Sequence, residues 1–188
     1  MLIGLTGYAG SGKDTVADIL RDKYYFCKTS FAFPIKSMLC TMLEVPMEAW
    51  NDREWKENPL PGYGVSPRVM AQTLGTEWGR DLVSEDIWVQ AALSKIESMT
   101  RSHKTLRNWV ISDVRFENEA TAIRRDGGTV VHVSCPANRR FKIPEHSSEC
   151  GVEFGLGDYV LINGGALGEL PKKIDDMMYH LLAEEEAA

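Results

Sequence analysis

The sequence predicts an α/β fold, a parallel sheet with helices on both faces. Three observations point to it. Five short apolar runs of strand character alternate with segments of helical periodicity. The first run, Leu2 to Thr6, passes directly into a glycine-rich turn and a lysine that open a helix. The last segment carries Leu167, Leu170, Ile174, Met177, Met178, Leu181 and Leu182 on one stripe, the pattern of a helix with a single buried face.

Taken in order, Leu2 to Thr6 reads as a buried strand, and Gly12 to about Lys23 as a helix with Val16, Ala17, Ile19 and Leu20 inward. Lys28 to Phe33 is a second short strand. Pro34 then opens a helix through Leu43, because proline is tolerated in a first turn. Glu44 to Gly64, rich in Pro and Gly and carrying Trp50 and Trp55, reads as an irregular excursion rather than an interdomain linker. Ser66-Pro67 starts a helix that runs to Gly75, and another spans about Glu85 to Met99. Trp109 to Asp113 is a third strand ending in a carboxylate. Asn118 to Arg125 is helical and stops at Gly127-Gly128. Thr129 to Ser134 is a fourth strand. Cys135 to Leu156 is polar and basic, then turn-rich. Tyr159 to Ile162 is a fifth strand, ended by Asn163-Gly164-Gly165. Glu184 to Glu186 reads as a solvated end.

The 188 residues suit a single domain, 1–188, with a proper core. The formal charge of −6 argues against stable nucleic-acid binding, so phosphate contacts must come from local cations. No apolar run approaches the ~18 residues of a membrane span, and the first residues are strand-like with no basic leader. The four cysteines include no C-x-x-C pair, which fits reduced thiols in the cytoplasm.

Gly7, Gly12 and Lys13 have the spacing of a P-loop, G-x-x-x-x-G-K. Its glycines let backbone N–H groups turn inward, and the following helix adds the positive end of its dipole. The lysine reaches the outer phosphates as a point charge. Asp14 stands where Ser or Thr usually ligates Mg²⁺, and Thr15 follows. Ligands of parallel sheets sit beyond the carboxyl ends of the strands. That rule gathers Gly7 to Thr15, Asp113 to Arg115 and the segment after Ser134 at one rim. Asp113 either holds Mg²⁺ through water or touches an acceptor, or is an ordinary turn carboxylate. Arg115 faces the same rim, or pairs with Glu117 or Glu119 at the surface. Arg68 and Gln72, i and i+4 on one helix, grip a phosphate and a base edge, or are simply exposed polarity. Lys36 is a second cation for an acceptor phosphate. Arg139 and Arg140 belong to an arginine-bearing lid or to a solvated loop. His146 and Glu149 form a polar pair, or His146 is simply a lone surface histidine, the reading favoured; neither is assigned a catalytic role.

The ordered set Ser11-Gly12-Lys13-Asp14-Thr15, Pro34-Ile35-Lys36, Arg68…Gln72…Gly75-Thr76, Trp88, Asp113-Val114-Arg115 with Glu119, Val130-Val131-His132-Val133 and His146…Glu149 covers most of the chain. It resembles the bacteriophage deoxynucleoside monophosphate kinases, within the P-loop NTPase fold. The resemblance implies five parallel strands in the order 2-3-1-4-5, an acceptor-binding helical region over about 34–100 and a closing lid over about 135–156. It implies transfer of the γ-phosphoryl of ATP to a deoxynucleoside 5′-monophosphate, with Mg²⁺, for DNA precursor synthesis. By position, Gly10, Gly12, Lys13, Asp14 and Thr15 would bind ATP phosphates, with Arg139 or Arg140 from the lid. Gly10 stands where some relatives carry a basic residue. Ile35, Lys36, Arg68, Gln72, Gly75, Thr76, Trp88, Asp113, Arg115 and Glu119 would surround the acceptor. Lys13, Arg68, Asp113, Arg115 and Arg139 would carry catalysis, and Asp14, Thr15 and Asp113 would face Mg²⁺, directly or through water. Bulk from Trp88 would crowd the 2′ position of a ribose. The protein would work as a monomer or homodimer in the cytoplasm, the host's if phage-encoded. Two alternatives stand beside this reading. One is a P-loop kinase of another small acceptor, dephospho-coenzyme A or a ribonucleoside monophosphate. The other is a non-catalytic nucleotide-sensing module, disfavoured by the cations outside the P-loop.

Overall fold

Apolar strands with both faces covered pair in parallel, and they do so here. In the computed structural model, which describes residues 1–103, 105–135, 152–164 and 168–187, five strands form one sheet: β1 (Leu2–Thr6), β2 (Cys27–Thr29), β3 (Trp109–Ile111), β4 (Thr129–Ser134) and β5 (Tyr159–Ile162). The order is β2-β3-β1-β4-β5, and every pairing is parallel, as the resemblance implied. The described residues form two compact units, Met1–Ser30 with Ser98–Ala188, and Phe31–Glu97.

The first unit holds the sheet. Side chains alternate across it. Ile3 and Leu5 of β1 point into a core completed by Val16, Ala17 and Leu20 of α1 (Lys13–Tyr24) and by Ile174, Met177, Met178 and Leu181 of the C-terminal helix, Glu169–Ala187. The methionine stripe is therefore core packing. Gly4 faces the other side, where Ile123 of the helix Glu117–Arg125 and Val114 leave no room for a Cβ. On that side the Asp158 side chain, itself fully covered, takes hydrogen bonds from Arg124 and from the Gly155 N–H, and its Oδ2 lies 2.8 Å from His132 Nε2. Burial alone would raise the Asp158 pKa; Arg124, Gly155 and His132 outweigh it and hold the carboxyl below its usual range. Arg124 also reaches Glu117 and the Glu153 carbonyl, fastening residues 153–158 to the sheet.

The second unit is helical: α2 (Phe33–Leu43), a 3₁₀ turn at Met47–Asn51, α3 (Arg53–Glu57), α4 (Pro67–Thr73), a π-helical stretch Leu74–Val83, and the first part of α5 (Ile87–Ser102). The remaining helices of the first unit are α6 (Glu117–Arg125) and α7 (Glu169–Ala187). Several boundaries correct the sequence reading. The second strand stops at Thr29 rather than Phe33, because Phe31, Ile35 and Leu39 recur every fourth residue and bury one helical stripe. Residues 44–64, expected to be irregular, contain α3, whose N-cap Asp52 accepts from Glu54 and Trp55 N–H, and an edge-on Trp50–Trp55 pair. The helix from Pro67 does not end at Gly75 but widens into the π stretch. Asp113 lies beyond the end of β3. No helix among the described residues is long and apolar enough to cross a membrane.

Candidate active site

The loop between β1 and α1 is built so that only glycine fits its two ends. Gly7 has φ +137°, and a Cβ there would collide with the Val133 carbonyl of β4. Gly12 has φ +99°, and a Cβ there would collide with Asn163 Nδ2. Asn163, just past β5, donates to the Ser11 carbonyl at 2.8 Å and pins the loop from outside. Gly12 is also the N-cap of α1 and offers no side-chain cap, so the first N–H groups of α1 face outward with the dipole behind them. Ser11 Oγ and Thr6 Oγ1, both buried, have no hydrogen-bond partner among the described residues. Such orphaned donors fit a ligand rich in oxygens.

Lys13 arches back over this loop. Its Nζ donates to the Gly7 carbonyl at 2.6 Å and the Tyr8 carbonyl at 2.9 Å. Burial lowers its pKa, and the Arg115 charge lowers it further, while Asp14 and Asp113 act in the opposite sense. Four predicted residues, Lys13, Asp14, Asp113 and Arg115, therefore share one electrostatic environment. The topology explains this: β3 lies directly beside β1, so the turn after β3 meets the turn after β1 at the same sheet edge. The Val114 N–H bonds the Leu5 carbonyl at 3.0 Å and locks the two together.

Glu119, expected to face the acceptor, is buried. Its Oε2 accepts from the backbone N–H of Arg115 at 2.7 Å and of Phe116 at 3.1 Å, the side-chain half of a capping box on α6. It fixes the turn that carries Asp113 and Arg115. Thr15 is exposed in the first turn of α1. Asp14 is exposed too, and its Oδ1 lies 3.1 Å from Lys28 Nζ of β2.

In the second unit, Lys36 lies over the Trp50 ring at 5.7 Å, within cation–π range. Arg68 pairs with Glu57 at 2.8 Å, and Gln72 follows one turn later on α4. Ile35 and Trp88 both lie against Gly75. The Trp88 indole N–H donates to the Gly75 carbonyl at 2.7 Å, and the ring lies so close to Gly79 that a Cβ there would meet it at 2.5 Å. Trp88 is only 5% exposed. Its bulk thus supports the π stretch containing Gly75 and Thr76. A buried indole has no face to set against a sugar, so any effect on sugar selection runs through that stretch. Arg139, Arg140, His146 and Glu149 lie outside the described residues.

Sequence reasoning missed Lys28, Asn163 and Gly79. Lys28 read only as the first residue of the second strand, in a polar stretch that gave no separate signal. Asn163 read only as a strand terminator, because its role depends on β5 ending beside the loop.

The sequence profile of the deoxynucleotide monophosphate kinases matches residues 64–174. A protein of Acanthamoeba polyphaga mimivirus, provisionally named a deoxynucleotide monophosphate kinase, is 33% identical over 93% of this chain and 94% of its own. The deoxynucleoside-5′-monophosphate kinase of Escherichia phage T5 is 28% identical over 87% of this chain and 89% of its own. Among solved structures, dephospho-CoA kinase from Campylobacter jejuni superposes with a TM-score of 0.50 at 12% identity, covering 96% of both chains, a likeness of fold alone. With the glycine loop, its lysine and the neighbouring Asp113 and Arg115 in place, the chain belongs to the deoxynucleotide monophosphate kinase family.

Proposed function

We propose that this protein transfers the γ-phosphoryl of ATP to a deoxynucleoside 5′-monophosphate, giving the diphosphate. The observation that carries the reading is the Asp113–Arg115 turn, bonded through Val114 to Leu5 of β1 at 3.0 Å, beside the glycine loop over which Lys13 lies. Family membership supports the nature of the acceptor.

Phosphoryl transfer asks for charge neutralisation and alignment rather than covalent help. Lys13 exchanges the Gly7 and Tyr8 carbonyls for phosphate oxygens, and burial sharpens its field. The backbone around Gly10 and Gly12 and the first turn of α1 hold the rest of the triphosphate. Arg115 and Asp113 organise the acceptor side of the loop, with Glu119 as their support. Arg68 and Lys36 take the acceptor phosphate, Gln72 and Thr76 its nucleoside, and Ile35, Gly75 and Trp88 shape that pocket. Arg139 or Arg140 covers the transferring group. No general base is needed, since the attacking oxygen belongs to an anion. Thr15 and Asp113 supply the hard oxygen donors that suit Mg²⁺. When bound, Mg²⁺ neutralises charge building on the transferring phosphates.

A coupled ADP-release assay with ATP and Mg²⁺ tests this against deoxy- and ribonucleoside monophosphates and dephospho-coenzyme A. Turnover with deoxynucleotides is expected. ADP release only with another acceptor, or with none, would contradict it.

A further inference from the structure

Asp14 poses a problem the P-loop itself leaves unanswered. It stands in the first turn of α1, where the dipole attracts negative charge. A carboxylate there competes with the phosphates for the same field. The structure holds a counter-charge: Lys28 Nζ lies 3.1 Å from Asp14 Oδ1 and 3.1 Å from Asp18 Oδ1, one turn along the same helix face. Lys28 donates a hydrogen bond to Asp18, which Arg21 also meets at 2.9 Å, and the Lys28 charge faces both carboxylates. The geometry is not that of two waving surface chains. Lys28 is the middle residue of β2, in register with Val110 of β3, and its side chain is only 25% exposed, against 83% for Asp14.

From this we infer that Lys28 is a positioning residue for the nucleotide site, which neutralises Asp14 and holds its carboxylate aside so that phosphate binds at the α1 N-terminus. The inference rests on the loop being a nucleotide site. An ordinary surface ion pair would affect stability slightly and ligand binding not at all.

The test is calorimetric binding of ADP to the full chain in the presence of a chelator, which removes any metal contribution, with melting temperature recorded for each variant. Lys28→Met is expected to weaken ADP about five- to tenfold, the size of an uncompensated charge near a partly screened site. Asp14→Asn alone is expected to tighten ADP, and Asp14→Asn with Lys28→Met to return to wild-type affinity. Asp18→Asn combined with Lys28→Met should give no such rescue. Equal ADP affinity in Lys28→Met and wild type overturns the inference, as does a double variant no better than Lys28→Met. Weaker or unchanged ADP binding by Asp14→Asn overturns it even if Lys28→Met fails to fold. Repeating Asp14→Asn with Mg²⁺ separates the remaining possibility: a loss seen only with the metal makes Asp14 a metal ligand and also overturns it. Failure of the wild type to bind ADP at all would instead remove the nucleotide-site reading beneath it.

Discussion

Gly7 shows how much of the site one backbone position carries. Its φ of +137° is open to glycine, and the Val133 carbonyl occupies the space of a Cβ. Gly7→Ala is expected to cost about 2–4 kcal/mol of stability from strain and displacement. ADP affinity should fall with it, because the loop and β4 must separate; thermal unfolding and calorimetry measure the two. At this scale the sequence was legible where spacing encodes chemistry. Gly7, Gly12 and Lys13 sit in the turn that their pattern implied, and Asp113 and Arg115 lie near Lys13 because strand-end residues of neighbouring strands meet. Glu119 and Trp88 were legible as important but not in kind. One supports a turn from beneath and the other packs against glycines, and only burial and hydrogen-bond direction distinguish those tasks from ligand contact.

Between elements, α1 is tied to α7 by a cluster at its C-terminal end. Asp175 accepts from Lys23 at 2.6 and 2.7 Å and from the Tyr24 hydroxyl at 2.6 Å. Burial first, then the hydrogen bond to Asp175 and its negative charge, push the Tyr24 pKa up to about 12. The folded state therefore holds this proton more tightly than the unfolded chain, whose tyrosine titrates near 10.0. The contribution to stability is complete below that value and is lost as pH rises through about 12. Phenolate absorbance should show one tyrosine titrating near 12 in the wild type and nearer the ordinary value in Asp175→Asn; a titration unchanged by the substitution would contradict the pairing. None of this was readable beforehand, since Tyr24 and Asp175 are 151 residues apart. The strands, by contrast, were readable from short apolar runs. Where local pattern competed with helical spacing, as at Phe31 to Phe33, the spacing won. The π stretch Leu74–Val83 was not legible in the sequence; its Gly75 and Gly79 lie against Trp88, a contact no local pattern encodes.

At the scale of the whole molecule, a five-stranded parallel sheet carries the glycine loop, and a helical insertion between β2 and β3 carries most of the remaining family residues. The strand order came from the resemblance, since periodicity says which runs are strands and not which are neighbours. The 67-residue excursion Phe31–Glu97 forms a compact unit and buries aromatic side chains of its own, among them Trp50 and Trp88. Lys13 and the loop beneath it are proposed to hold a donor phosphate for transfer to an acceptor. Acceptor-dependent ADP formation, measured side by side for the wild type and Lys13→Ala with a deoxynucleoside monophosphate, tests it most directly. The expected result is turnover that requires the acceptor in the wild type, and a loss of about 10³-fold or more in a variant that melts as a folded protein. A folded Lys13→Ala protein that turns over like the wild type would contradict it.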